Sequence, residues 1–229
     1  MRPGQGAGLG GLFSTLSVIV GSCLLLPWLC CGVTDIMQSE VRTQLTDVKG
    51  ARPVSGGLAA LSVYVVLDTV QDALPGGIEF TLEYLNEGSQ DIELFNPIDH
   101  VQYTLVDAAG YPVPSPPYAP RLLIQSADDP RVQLENKFLI VAIRENGHDK
   151  DIAEELRKAR IVLSAGGRYE LTLRIQKILD PASSGTVIPL PAAPYKIVLT
   201  CSLVTPAESM GDENPFRVLE SSQIPVEVK

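Results

Sequence analysis

The chain has 229 residues, of which 27 are acidic and 18 basic, so its formal net charge at pH 7 is −9. This acidic balance argues against nucleic acid as a partner, because its phosphates would repel the protein. Arg2 is the only charged residue before Asp35, so the acidic excess belongs to the rest of the chain. Three of the four cysteines also precede Asp35. Cys201, the remaining one, has no cysteine near it with which to form an internal disulfide or a C-x-x-C metal site.

An uncharged, largely apolar segment follows Arg2 and ends before Asp35. A positive start followed by an apolar run is typical of an export signal or a single membrane span. Residues 12–31, as a helix, would cover about 30 Å, which is one hydrocarbon core. We therefore predict that residues 1–34 form an N-terminal hydrophobic helix that is a signal peptide or a membrane anchor. The protein is then extracytoplasmic, and either anchored to the membrane or secreted.

This segment has three alternative fates. Val20-Gly21-Ser22-Cys23 resembles a bacterial lipobox, which would make Cys23 the site of lipid attachment and the protein a lipoprotein. Cys30-Cys31-Gly32 instead offers small residues for cleavage by an ordinary signal peptidase. Without cleavage, the segment remains as a signal anchor.

Residues 35–57 are predicted to be a stalk or linker. Their apolar residues Met37, Val41, Leu45 and Val48 are spaced by four, four and three positions, as on one face of a helix. A proline and several glycines in the stretch 49–57 would end such a helix. The segment is interpreted as a juxtamembrane helix or as a spacer.

From residue 58 to residue 229 the sequence predicts β-structure. Three segments alternate apolar and polar residues with a period of two, namely 78–84, 169–175 and 195–203. Weaker strand candidates lie at 58–67, 92–95, 101–106, 138–143, 161–163 and 223–228. Turns rich in glycine, asparagine and aspartate separate them. We therefore predict an all-β antiparallel sandwich in one domain.

One short helical insertion is predicted between the strands. Residues 149–160 carry acids early, bases late, and Ile152, Leu156 and Ala159 on one face. This charge order suits a helix dipole.

The order of strands and turns resembles that of known modules. Phe80–Leu94 resembles the strand, Asn-x-Gly turn and strand of bacterial extracytoplasmic immunoglobulin-like modules. Tyr103–Val113 is similar to their following hairpin, and Ser164–Leu171 resembles the strand that precedes their last pair. Pro194–Leu199 resembles their penultimate strand, with Pro194 where glycine is usual. The same order occurs in the BsuPI-type proteinase-inhibitor fold. The resemblance implies an immunoglobulin-like sandwich over roughly 78–229.

The sequence offers little catalytic chemistry. Gly6–Gly11 satisfies G-x-G-x-x-G, but no strand precedes it, so we expect no nucleotide or other small-molecule cofactor. His100 and His148 lie in turn-like surroundings, and no Gly-x-Ser-x-Gly elbow accompanies them. Cys201 lies on the same face of its predicted strand as large apolar residues, which predicts a buried hydrophobic residue rather than a nucleophile. We predict no catalytic residues.

Acidic turns raise the question of a metal. Asn146, Asp149 and Asp151 have a spacing that would bring several oxygens together around calcium. The segment lacks the D-x-D-x-D-G order and the closing glutamate of an EF-hand loop. We interpret it, like 128–129 and 212–213, as a solvated turn and predict no metal site.

Two function classes remain, with an enzyme a distant third. The first is a noncatalytic, membrane-tethered binding or assembly module of the cell envelope, whose partner is another envelope protein. The second, implied by the resemblance, is a proteinase inhibitor of BsuPI-like type. For either class the predicted contact is a proline-rich loop, which prolines would hold extended and so reduce the entropy lost on binding. Its candidate residues are Pro112, Pro114, Pro116, Pro117, Tyr118 and Pro120.

Overall fold

The computed structural model describes residues 40–49, 57–72, 76–116, 138–183, 185–206 and 216–229. They belong to one compact unit, Met37–Lys229. The predicted anchor, residues 1–34 with Cys23, lies outside the described residues. Within the described ranges, no helix has the length and apolar character that crossing a membrane requires.

Short and long β-strands make up nearly all of the regular structure in these ranges. One α-helix, α1 (Ile152–Arg157), and two 3-10 helices (Gly57–Ala60 and Pro97–His100) accompany them. The strands are β1 (Glu40–Gln44), β2 (Thr46–Asp47), β3 (Leu61–Asp68), β4 (Val70–Gln71), β5 (Ile78–Asn86), β6 (Ile92–Phe95), β7 (Val101–Asp107), β8 (Pro112–Val113), β9 (Leu139–Glu145), β10 (His148–Asp149), β11 (Arg160–Leu163), β12 (Arg168–Ile175), β13 (Lys177–Leu179), β14 (Val187–Pro189), β15 (Pro194–Val204), β16 (Phe216–Glu220) and β17 (Ile224–Val228).

These strands form two large sheets and two small ribbons. The first sheet has the order β1-β3-β5-β12-β9-β10. In the second sheet the central strand β15 pairs with β7 along one edge. Its other edge pairs with β17 in its first half and with β16 in its second half. The strand β2 extends it beyond β16, β4 beyond β17 and β8 beyond β7. All pairs are antiparallel except β4–β17, and β6–β11 and β13–β14 are the two ribbons.

One hydrophobic core lies between the two sheets. The alternating residues of β5, β12 and β15 supply a large part of it, because a period of two directs one face of each strand inward. The Tyr84 hydroxyl of the first sheet lies 3.2 Å from the Cys201 thiol of the second. The ring of Phe138 packs edge-on against Phe80 and Tyr103, with centroids 5.7 and 5.1 Å apart. The predicted all-β, mostly antiparallel architecture is confirmed at this level.

The structure differs from the expectation for residues 40–47, which form strands β1 and β2 rather than a helix or a stalk. Leu45 is buried between them, and its backbone N–H donates to the Val63 carbonyl at 2.8 Å. A spacing of four, as between Val41 and Leu45, fits a period of two as well as a period of 3.6. The segment forms strands rather than a helix because the edges of β3 and β16 offer its backbone hydrogen-bond partners.

The predicted helix is present but shorter than 149–160. Asp151 caps its start by accepting a hydrogen bond from the Glu154 N–H at 2.8 Å. The first residue of the predicted range, Asp149, belongs to strand β10, and the last, Arg160, belongs to strand β11.

Candidate functional site

The strand register brings several connections to one end of the sandwich. Glu40 pairs with Asp68, and shortly after Asp68 the strand β4 joins Glu227 of β17. Glu227 pairs with the start of β15, where Tyr195 faces Asp107 at the end of β7. We call this the hairpin end, because the β7–β8 turn and the β13–β14 hairpin extend from it.

Tyr111 is the most exposed large hydrophobic residue among the described ones. It follows the β7–β8 turn, and 70% of its surface is exposed. The Asp107 carboxylate accepts hydrogen bonds from the Ala109 and Tyr111 N–H groups at 2.9 and 2.8 Å. Gly110 has a φ of +91°, which favours glycine at this position. The turn therefore exposes an aromatic side chain on a backbone that is fixed by hydrogen bonds.

The first half of the predicted binding loop is part of the β-structure. Pro112 pairs with Val106, and the Pro114 carbonyl accepts a hydrogen bond from Leu179 N–H at 2.9 Å. Pro112 and Pro114 are exposed, whereas Pro116 is buried. Backbone hydrogen bonds to β7 and to Leu179 thus hold this stretch. Three of the predicted residues, Pro117, Tyr118 and Pro120, lie outside the described residues.

The β13–β14 hairpin continues this surface. The Leu179 N–H donates to the Pro114 carbonyl, and Leu179 pairs with Val187, so one backbone hydrogen bond joins the β13–β14 ribbon to the stretch that follows β8. Val187 is 46% exposed. We call the exposed residues of this region the hairpin-end surface, namely Tyr111, Pro112, Pro114 and Val187.

A cleft of about 490 Å³ opens on the first-sheet side of the same end. It exists because β3 pairs with β5 only as far as Val66 and then departs. The Gln71 side chain replaces the missing strand: its amide donates to the Glu79 carbonyl at 2.7 Å and accepts from the Glu79 N–H at 2.8 Å. Arg174 forms an ion pair with the Glu79 carboxylate. The cleft is thus polar, and its charged walls are partly paired with one another.

The residues considered for catalysis are not assembled into a site in the described part of the chain. His148 is exposed on β10 of the first sheet, whereas His100 is half-buried just before β7 of the second. Cys201 is fully buried, and burial raises the pKa of its thiol to about 12. A thiol with this pKa is protonated at neutral pH, so Cys201 is not a nucleophile there.

The Asn146 to Asp151 region is structural. Asn146 and Gly147 have φ values of +51° and +80° and form the two-residue turn of the β9–β10 hairpin. The Asn146 side chain accepts from Arg168 N–H at 2.8 Å, and Asp149 pairs with Arg144 at 2.7 Å. Their oxygens are therefore engaged by the protein itself. No cluster of three metal-binding side chains occurs in the described ranges.

Sequence reasoning did not single out Tyr111, Val187 or Gln71. An aromatic residue after an Asp-x-x-Gly turn can be recognised in the sequence as a candidate contact residue. The sequence alone does not determine whether its ring points inward or outward. Comparisons with known proteins add no further assignment. No protein-family model, no curated protein and no solved structure matches the chain.

Proposed function

We propose that the protein is a noncatalytic binding or assembly module of the cell envelope. Residues 1–34 hold it at the outer face of the membrane, and the described β-sandwich is its head. The head contacts a partner protein through the hairpin-end surface. The observation that carries this proposal is Tyr111, a large aromatic side chain with 70% of its surface exposed on a braced turn.

The energetics of binding favour such a residue as a contact. Tyrosine provides a large, amphipathic surface, and buried aromatic anchors carry much of the binding energy of protein interfaces. Association loses less entropy when the anchor is already fixed. The Asp107 carboxylate, together with the pairing of β8 to β7, fixes the backbone on both sides of Tyr111 before any partner arrives.

We also infer that the sandwich has an immunoglobulin-like topology. In immunoglobulin constant-type domains, the strands A to G form sheets of the order A-B-E-D and C-F-G. If β3, β5, β7, β9, β12 and β15 are equated with A to F, and β16 and β17 together with G, both orders are reproduced. This strand order supports the inference, as does the resemblance of the turns. Such sandwiches commonly bind through loops at one end.

The proposal is tested by Tyr111→Ala in the full chain, with Phe216→Ala as the matched control. Phe216 is also exposed, at 53%, but it pairs with Val204 at the opposite end of β15. Cross-linking in native membranes should yield partner adducts that Tyr111→Ala loses and Phe216→Ala retains. Both variants should keep the parent melting temperature, because both side chains are exposed. Equal adduct yields from the two variants would contradict a contact through the hairpin end.

A further inference from the structure

Strands β3 and β5 separate at the cleft, and one side chain lies between them. The two strands pair as far as Val66 and Thr81, and a continued register would pair Asp68 with Glu79. The Gln71 side-chain amide lies there instead. It donates to the carbonyls of Asp68 and Glu79 at 2.9 and 2.7 Å, and it accepts from the Glu79 N–H at 2.8 Å. This amide thus makes the two bonds with Glu79 that a residue of a neighbouring strand would make.

The Gln71 side chain can leave this position while its backbone stays in place. The backbone of Gln71 pairs with Val228 of β17, and its carbonyl accepts from the Lys229 N–H at 2.8 Å. The side chain bonds only to backbone groups, and the backbone of another peptide can satisfy the same groups. Addition of an extended peptide to a strand edge is a common mode of peptide recognition. The backbone of Glu79 is therefore available to a segment that displaces the Gln71 amide.

Charged side chains surround this position on the outer face of the first sheet. Glu40 pairs with Asp68 and Glu79 pairs with Arg174, so a row of four charged residues crosses this face. Arg174 forms an ion pair with Glu79, whereas Glu40 and Asp68 leave an excess of negative charge. A residue that paired with Glu79 would direct its side chain to this face, between Asp68 and Glu79. Opposite charges on neighbouring strands attract and like charges repel, so a cation is favoured there.

We propose that the cleft binds an extended segment of a partner protein that carries a lysine or arginine. The backbone of the segment replaces the Gln71 amide on Glu79, and its cationic side chain lies between the carboxylates of Asp68 and Glu79. The cleft, at about 490 Å³, has the size of known ligand pockets. It shares no residue with the hairpin-end surface, so this contact is separate from the one proposed through Tyr111. Failure of either contact leaves the other intact.

The charge of the cleft also disfavours other occupants. Asp72 adds a third exposed carboxylate to those of Glu40 and Asp68. Anionic lipid requires clustered lysines and arginines instead. A second copy of this chain, with its net charge of −9, would be repelled by such a cleft. A basic segment of a different protein fits the charge.

The first experiment uses a short basic peptide as the probe. The peptide Ala-Lys-Ala-Lys-Ala-amide, labelled at its amino end with a fluorophore, is titrated with the full chain in a neutral detergent. In an extended peptide both lysines share one face. Fluorescence anisotropy should show that this probe binds several-fold more tightly than the same peptide with glutamate in place of lysine. Equal affinities for the two peptides would overturn the proposal.

The second experiment removes the internal competitor. Gln71→Ala should strengthen binding of the lysine probe several-fold, because the Glu79 backbone is then always available. The matched control is Gln90→Ala, which removes an exposed glutamine from the turn at the opposite end of β5 and should leave the affinity unchanged. If Gln71→Ala fails to fold, Gln71→Asn, which is one methylene shorter, should have the same effect. An affinity that does not rise would place the probe elsewhere and overturn the proposal.

The third experiment tests the charge at the same position. Asp68→Asn should weaken binding of the lysine probe several-fold. The control Asp91→Asn removes an equal charge from an exposed residue at the opposite end of β5 and should not change the affinity. Equal losses from the two variants would show only a general attraction to an acidic protein, and that result would overturn the proposal.

Discussion

At the scale of single residues, buried asparagines connect segments that are distant in the sequence. Asn86 is fully buried, and its side-chain amide donates to the carbonyls of Gln90, Leu163 and Ser164 at 2.8, 3.0 and 3.0 Å. Its oxygen accepts from the Gly88 N–H at 3.0 Å. One side chain thus joins the β5–β6 turn to the β11–β12 turn. The sequence predicted an Asn-x-Gly turn at this position, but not its second, long-range role.

Replacing Asn86 with alanine should therefore be costly. The change leaves buried carbonyls and one N–H without partners, and each such loss costs about 1–3 kcal/mol. We expect Asn86→Ala to lower the free energy of unfolding by roughly 3 kcal/mol, measured by chemical denaturation. Gln90→Ala is the matched control, since the exposed Gln90 contributes only its backbone carbonyl to Asn86. Similar losses for both variants would contradict the role assigned to the Asn86 side chain.

At the scale of elements, strands with clear alternation were predictable and very short ones were not. Residues 78–84, 169–175 and 195–203 were predicted as strands, and β5, β12 and β15 contain them. Strands such as β4, β8 and β10 have two residues each, too few to display a period. They are strands only because an edge of another strand offers them hydrogen-bond partners: the preceding strand for β8 and β10, and the distant β17 for β4.

The two faces of β15 differ in burial, which gives a direct test of its role as the central strand. Leu199 is fully buried, whereas the side chain of Thr200 lies on the other face and is partly exposed. Leu199→Ala should lower the free energy of unfolding by roughly 2–5 kcal/mol because it leaves a cavity. Thr200→Ala should cost far less. Equal costs in urea denaturation would mean that both faces of β15 are covered.

At the scale of the whole molecule, the first described strands close one side of the sandwich. Strand β1 pairs with the first sheet and β2 with the second, with Leu45 buried between them. Arg217 donates to the Asp47 carboxylate at 2.7 and 3.0 Å and to the carbonyls of Leu58 and Leu61 at 3.0 and 2.9 Å. This contact holds the pKa of Asp47 below its ordinary value, through the hydrogen bond first and the charge of Arg217 second. Residues 40–47 thus belong to the fold.

A pair of fragments tests this assignment. Residues 37–229 should give a β-type circular dichroism spectrum and melt cooperatively under reducing conditions, because the buried core contains Cys201 as a free thiol and needs no disulfide. Residues 58–229 lack Leu45 and both strands, so we expect a loss of roughly 2–5 kcal/mol from the missing apolar contacts alone. For a chain of this size, that loss lowers the melting temperature by roughly 5–15 °C. Identical melting of the two fragments would restore the stalk interpretation.

The sequence by itself determined the class of the fold and the inward face of the long strands. A period of two fixes which side chains share a face, and this property is local. Only the tertiary structure decided that residues 40–47 join both sheets, that the Gln71 side chain bonds to the backbone of Glu79 in place of a strand, and that Tyr111 is exposed at the hairpin end. These features depend on which strands become neighbours. Strand pairing is set by contacts between residues far apart in the chain, and no local pattern encodes them.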